Sequence, residues 1–164
     1  MALIVEDGTG LSTANVYITL AGADAYHLER NNTAWAAMSE AARNAALLYA
    51  TAYLDSKYLW RGTVVDDDQA LGMPTENGVD DQGRDIEDLP ARVGYATAEM
   101  ALIHGTNPLT ATLGPRVIEQ EVVGAVKRRF SDRSGNEGVR YPIVDILLKG
   151  LHAGGTRFVV SMGA

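Results

Sequence analysis

The longest apolar pattern in the chain runs from Ser39 to Trp60 without a proline or glycine. Ser39 suits an N-cap, and Gly62 suits the C-terminal cap. One face repeats every three or four positions: Leu47, Ala50, Leu54 and Tyr58. A second apolar face lies beside it: Ala42, Ala46, Tyr49, Tyr53 and Trp60. Because a helix that is apolar most of the way round is buried, we expect its own fold on one side and another subunit on the other.

Shorter helical patterns flank this central helix. Thr19 caps a predicted helix that ends near Arg30, and Trp35 lies in a short helical turn over 33–38. Pro90 occupies the first turn of the next predicted helix, and Pro142 begins the last. The apolar stripe of the Pro90 helix is Val93, Ala96, Met100, Ile103 and His104. The stripe of the Pro142 helix is Ile143, Ile146, Leu147 and Leu151.

Strand patterns are few and short. Residues 2–5 and 15–18 favour two strands, and residues 117–130 favour two strands split at Gly124, or one strand with a bulge. The fold is therefore predicted to be mainly α with minor β, a small bundle of about four helices with a β-hairpin extension. We expect one domain over 1–153, which includes an acidic loop at 63–88 and the hairpin at 116–131. A C-terminal arm over 154–164 follows it.

Composition and charge exclude several classes of function. The 164 residues include no cysteine, which excludes disulfides, thiol nucleophiles and Cys-ligated zinc. No apolar run is long enough to span a bilayer, and the N-terminus does not resemble a signal peptide. The net charge is −7. Proteins that grip nucleic acid are usually basic, because neutralising phosphates supplies most of the affinity.

Candidate catalytic residues are scattered. His27, His104 and His152 fall on three different predicted helices, without the spacing of a metal pair. The acidic loop carries nine Asp and Glu and one Arg, but its glycines do not fit an EF-hand. The glycines match neither a phosphate-binding loop nor a dinucleotide fingerprint. We therefore predict no catalytic residue, no metal and no cofactor, and keep a hydrolase built on this loop and a histidine as a rival.

Two further segments suggest contacts. The positive charges concentrate in Lys127, Arg128, Arg129 and Arg133, together with Arg140. This basic cluster suits phosphates or an acidic partner, and equally a solvated hairpin edge. The C-terminal arm carries a β-prone stretch with Arg157, Phe158 and Val160, which favours pairing with a sheet of its own domain or of a neighbour.

Several stretches taken together resemble a known family. They are 23–27 (ADAYH) with Trp35, 52–55 (AYLD) with 58–62, 69–71 (QAL) with Pro74, and 89–102. Their order is similar to that of the phage and prophage proteins labelled DnaT-like single-stranded-DNA-binding proteins. These proteins in turn resemble the head–tail connector, or adaptor, proteins of tailed bacteriophages. The resemblance covers about residues 1–150.

The connector resemblance implies a virion structural protein, assembled in the bacterial cytoplasm. It implies a homo-oligomeric ring, expected to be a dodecamer, below the portal protein. The ring would extend the DNA channel, let DNA pass without sequence-specific binding, and dock the tail or stopper protein, with no membrane contact. On this hypothesis the subunit or portal interface comprises Tyr49, Tyr53, Trp60, Arg61, Arg157, Phe158 and Val160. Residues expected to face the DNA channel or a partner are Lys127, Arg128, Arg129 and Arg133. The alternative is a single-stranded nucleic-acid-binding module.

Overall fold

Five helices form most of the part of the chain that the structure describes. The computed structural model describes residues 2–86, 88–107, 109, 122–123, 126–127 and 141–153. The helices are α1 (Leu20–Glu29), α2 (Thr33–Ala36), α3 (Glu40–Lys57), α4 (Ala91–Thr106) and α5 (Pro142–Leu147). Thr19 and Ser39 cap α1 and α3, each accepting a hydrogen bond from a first-turn amide. The mainly helical fold class predicted from the sequence is confirmed.

The core lies between α3 and α4, which form the most extensive helix pair. The predicted inner face of α3 is confirmed, since Leu47, Ala50 and Leu54 have no exposed surface. Val93, Ala96 and Met100 of α4 are equally buried, and Trp35 of α2 closes the core near α1. Burying such apolar side chains is the main favourable term in folding. The central position of α3 therefore follows from its sequence.

The β-structure is slight. β1 (Thr63–Val64) pairs antiparallel with β2 (Thr75–Glu76), and β3 (Val122–Val123) pairs antiparallel with β4 (Val126–Lys127). Because β3 pairs with β4, the predicted hairpin consists of two strands there rather than one strand with a bulge. The two strands expected near the N-terminus reduce to a single parallel bridge between Val5 and Val16. The C-terminal arm lies outside the described residues.

The C-terminal end of α3 differs from the prediction. The helix stops at Lys57, and Tyr58 is already extended, with φ −101° and ψ 136°. The extended backbone lets Trp60 form an antiparallel bridge with His152. Gly62 is not the helix cap; it turns the chain with φ +95° toward β1, where a Cβ atom would lie 2.4 Å from the Glu76 carbonyl oxygen.

Two other helix predictions are corrected. Pro90 is the N-cap of α4 rather than a residue of its first turn. Within α5 the buried residue is Val144, and Leu148 and Leu151 are buried just after the helix ends. Leu151 of the predicted stripe is therefore buried as expected, whereas Ile143 and Ile146 are 43% and 67% exposed. Two apolar stripes overlap in this sequence, and α5 is too short to bury both. His152 was expected on this helix and lies beyond it.

Candidate functional site

Asp55 joins four segments of the chain at the C-terminal end of α3. Its Oδ1 atom accepts hydrogen bonds from the Tyr17 hydroxyl at 2.6 Å and from the Trp60 indole N–H at 2.9 Å. Its Oδ2 atom accepts from the Gly72 amide at 3.1 Å. The Met73 amide donates to the Tyr17 hydroxyl at 3.0 Å. Burial, and then the Asp55 carboxylate, hold the pKa of Tyr17 above its ordinary value. The role of this network is structural, because each of these polar groups already has its hydrogen-bond partner within the network.

Arg61 holds the acidic loop against the end of the described chain. Its Nε atom donates to the His152 carbonyl at 3.1 Å, and Nη1 donates to the Val79 carbonyl at 2.9 Å. Nη2 pairs with the Asp81 carboxylate at 2.7 Å. The Ala153 amide donates to the carbonyl of Leu59, two residues before Arg61. Arg61 therefore fixes the point from which the C-terminal arm continues.

The side of α3 that points away from the core is exposed and largely uncharged. Its exposed positions recur every three or four residues: Ala41, Ala45, Tyr49, Ala52 and Ser56. Tyr49, 50% exposed, stacks on His104 of α4 with ring centroids 4.6 Å apart. One turn further, Tyr53 packs edge-on against Tyr141 at 5.9 Å. Burial, followed by Tyr141, raises the pKa of Tyr53 to about 12, so this hydroxyl stays neutral at physiological pH.

The exposed isoleucines of α5, Ile143 and Ile146, follow Tyr141 by two and five residues. We call this surface the α3–α5 face, which consists of Tyr49, Tyr53, Tyr141, Ile143 and Ile146. Tyr58, just after α3, donates its hydroxyl to Asp145 and so links the end of α3 to α5. Exposed aromatic and aliphatic side chains gathered in one patch are typical of protein–protein contact sites.

The helical body is strongly acidic. Residues 1–109 and 141–153 contain 17 of the 21 Asp and Glu but only seven of the 14 Lys and Arg. Within the described residues, Arg84 pairs with Asp80 and Arg61 pairs with Asp81, while Asp66, Asp67 and Asp68 remain exposed. Residues 110–140 hold six basic and four acidic residues. This part of the chain, and the acidic loop above all, therefore carries negative charge that repels a DNA backbone.

The predicted interface residues do not share one environment. Tyr49 and Tyr53 lie together on the α3–α5 face. Trp60 is only 9% exposed and belongs to the core, so its indole is committed to Asp55. Arg61 is committed to the loop contacts described above. The arm residues Arg157, Phe158 and Val160 lie outside the described residues, and their part in an interface stays a prediction.

The basic cluster falls mostly outside the described residues. Lys127 lies on β4, while Arg128, Arg129 and Arg133 are not described. Whether this cluster faces DNA or a protein partner stays a prediction.

No catalytic or metal constellation occurs among the described residues. His27 is buried, with Nε2 on the Ala98 carbonyl and Nδ1 on the Asn32 amide. His104 stacks on Tyr49, and His152 lies beside Tyr58. Within the described ranges, no three acidic or histidine side chains gather as a metal site requires. Nor does any helix there have the length and apolar content that crossing a membrane demands.

Comparison with known proteins identifies the family. The described residues form a small, mainly helical fold with an acidic loop. The family described as "Putative DnaT-like ssDNA binding protein" matches residues 1–163, and the chain belongs to this family. No curated protein and no solved structure matches the chain. The resemblance to the DnaT-like family is thereby confirmed, while the resemblance to head–tail connector proteins stays a prediction.

Proposed function

We propose that this protein is a virion structural subunit of a tailed phage, which forms a homo-oligomeric ring in the neck below the portal. The ring extends the DNA channel and docks the tail or stopper protein. The observation that carries the proposal is the α3–α5 face. Tyr49 and Ile146 expose 50% and 67% of their surface on helices whose opposite sides form the core. A single copy leaves this face open, and a neighbouring subunit would cover it.

The acidic body supports a channel role. A ring that conducts DNA must not hold it, and clustered negative charge weakens contact with the phosphate backbone. The Asp55 and Arg61 networks use their polar groups internally, so in the described residues they serve shape rather than chemistry. A homo-oligomeric scaffold requires no more than this.

Electron microscopy of the protein, alone and mixed with its portal, tests the proposal. We expect closed rings, and we expect Tyr49→Glu to abolish them without unfolding the monomer. The control variant is Asp67→Asn, at an exposed position of the acidic loop. Glu29→Gln at the exposed end of α1 would not serve, because a neighbouring subunit that contacts α1 would also cover it. Particles that stay monomeric in both preparations would refute the ring.

Single-stranded DNA binding is the second candidate, and the family description favours it. The residues available for it are Lys127, Arg128, Arg129 and Arg133. Fluorescence anisotropy with a thymidine oligonucleotide over a salt series is the measurement. If the protein binds through these four charges, log K should fall with log salt with a slope of about −0.7 per phosphate contacted.

Reversal of the first three charges, K127E with R128E and R129E, should then remove binding. The control is reversal of Arg84, which pairs with Asp80 on the acidic loop. Absence of binding at low salt would exclude this activity.

A further inference from the structure

The strand β1 has an open edge. Among the described residues it pairs with β2 alone. Gln69 lies between the ends of these two strands, where its Oε1 atom accepts from the Val65 amide at 3.0 Å and its Nε2 atom donates to the Pro74 carbonyl at 3.1 Å. The opposite edge of β1 is left without a strand, and Val64 and Val65 are 43% and 44% exposed. An open edge with exposed apolar side chains is a template for another strand.

Carboxylates follow this edge directly. Asp66, Asp67 and Asp68 are exposed, and none of them forms an ion pair with a Lys or Arg of the described residues. The Oδ1 atom of Asp66 accepts from the Asp68 amide at 2.8 Å, a bond that neutralises no charge. A strand that adds to β1 therefore meets two exposed valines and, beside them, a negative charge that still lacks a cation.

The C-terminal arm carries a sequence complementary to this edge. Residues 63–66 read TVVD, and residues 157–160 read RFVV. Aligned antiparallel, they give four opposite pairs: Thr63 with Val160, Val64 with Val159, Val65 with Phe158, and Asp66 with Arg157. Directly opposite side chains of an antiparallel pair are in contact, and opposite charges or β-branched and aromatic residues stabilise it. This register therefore pairs the apolar residues with one another and gives Asp66 its cation.

The described chain enters the arm as a strand. Trp60 forms an antiparallel bridge with His152, and the Ala153 amide donates to the Leu59 carbonyl at 2.8 Å. The arm therefore leaves Leu59 in the direction opposite to the one in which the chain runs on to Asp66. To reach its own β1, the arm would have to reverse and return past seven residues within residues 154–157, which span about 14 Å at most. The edge that the arm can reach is that of a neighbouring copy.

We propose that residues 157–160 of one copy add as an antiparallel strand to the open edge of β1 in the next copy, with Arg157 beside Asp66. Main-chain hydrogen bonds give such an added strand its affinity, and its side chains give it specificity. The contact joins two different segments, so it is heterologous, and heterologous contacts close into rings when the rotation between copies allows it. This inference rests on the proposed ring and adds a second contact between its subunits.

Cysteine cross-linking tests the contact without competing thiols, because the chain contains no cysteine. The double variant V64C/V159C, oxidised alone and with the portal, should give a ladder of disulfide-linked oligomers on a denaturing gel, since opposite residues of an antiparallel pair lie within disulfide distance. The control V79C/V159C keeps the arm thiol and moves the other to a valine that is also 44% exposed, and it should give no ladder. Equal ladders from both variants, no ladder, or an internal disulfide within single V64C/V159C chains would overturn the contact.

Charge exchange supplies a second readout that a folding defect would not imitate. Asp66→Arg and Arg157→Asp should each weaken association about fivefold in sedimentation analysis, because each sets like charges opposite one another. The two together should restore it, and a double variant as weak as the single ones overturns the pairing. Closed rings without the V64C/V159C cross-link would refute this contact and leave the ring itself standing. A ladder from copies that never form closed rings would support the contact and refute the ring.

Discussion

Tyr17 and Asp55 are separated by 38 residues in the chain, and their side chains meet in a 2.6 Å hydrogen bond. The Tyr17 hydroxyl donates to Asp55 and simultaneously accepts from the amide of Met73. Tyr17 therefore links the N-terminal segment, α3 and the acidic loop through one oxygen atom. The joint explains how a loop with so few strand residues is held against the helices.

Tyr17→Phe should lower the free energy of unfolding by about 1–3 kcal/mol, because it leaves the buried Met73 amide without its acceptor. Urea denaturation monitored by circular dichroism is the measurement. Tyr49→Phe removes a hydroxyl from an exposed position of α3 and should change stability by less than about 0.5 kcal/mol. Equal effects of the two variants would mean that the Tyr17 hydroxyl contributes nothing.

Leu54→Ala should cost about 2–5 kcal/mol, the usual range for a large-to-small change in a packed core. Leu54 has no exposed surface and faces the α3–α4 interface. Ser56→Ala, two positions away and exposed, is the matched control and should stay within about 0.5 kcal/mol. Wild-type-like unfolding of Leu54→Ala would place this side of α3 in solvent.

Helix periodicity was enough to predict the inner face of α3, because a long uninterrupted pattern leaves one buried side. It was only partly right at the last helix, where two stripes of isoleucine, valine and leucine overlap: Leu151 is buried as predicted, but Ile143 and Ile146 are exposed. Only the packing of Val144 and Leu148 against the rest of the fold decides which stripe is buried. The exposure of Ile146 could not be deduced from the sequence.

The hydrogen-bond networks around Asp55 and Arg61 could not be predicted from the sequence either. In the sequence, Asp55 is one of several polar residues along α3, and no residue near it in the chain indicates that Tyr17 or Gly72 is its partner. Tyr49 is exposed, and its part in an interface stays a prediction, whereas Trp60, which helical spacing grouped with Tyr49, is buried. That spacing does not apply, because the helix ends at Lys57 before Trp60 is reached.

Gly72→Ala should destabilise the protein by about 1–3 kcal/mol, the range for overpacking a core. A Cβ atom at this position would lie 2.5 Å from Cδ1 and 2.6 Å from Nε1 of Trp60, whose indole is held by Asp55. Neither ring atom can move without breaking that hydrogen bond. The measurement is the midpoint of thermal unfolding.

Gly105→Ala is the control for the same substitution. Its Cβ would approach only the terminal Cε and Sδ atoms of Met38, a flexible side chain that can turn aside. Alanine also favours the helical backbone of α4 by up to about 1 kcal/mol over glycine. We expect this variant to melt at or above the wild-type temperature, and a loss as large as that of Gly72→Ala would contradict the steric explanation.

His27 should make the protein less stable in mild acid. Its Nε2 faces the Ala98 carbonyl, which can only accept, so Nε2 carries the proton and Nδ1 accepts from Asn32. Burial lowers the pKa of His27 below 6.5, although the carboxylates of Glu99 and Asp24 act in the opposite direction. A second proton would occupy the Nδ1 lone pair that Asn32 requires.

The sign of the pH dependence follows from this lowered pKa. Below about pH 6.5 the unfolded chain binds a proton at His27 that the folded chain resists, so the stability rises with pH in that window. The stabilisation that comes from neutral His27 is fully present above pH 6.5, and it is lost as the pH falls toward the pKa of His27 in the folded protein. Burial also lowers the pKa of His104, which adds to the same trend.

Unfolding free energies at pH 7.5 and 5.5 should therefore differ less in His27→Gln than in wild type, by up to about 1.4 kcal/mol for one group per pH unit. His104→Gln, measured in parallel, removes the contribution of the half-exposed histidine and isolates that of His27. Comparing differences between two pH values cancels the packing cost that each substitution carries at both. An unchanged difference in His27→Gln would show that the buried imidazole titrates alike in the folded and unfolded chains.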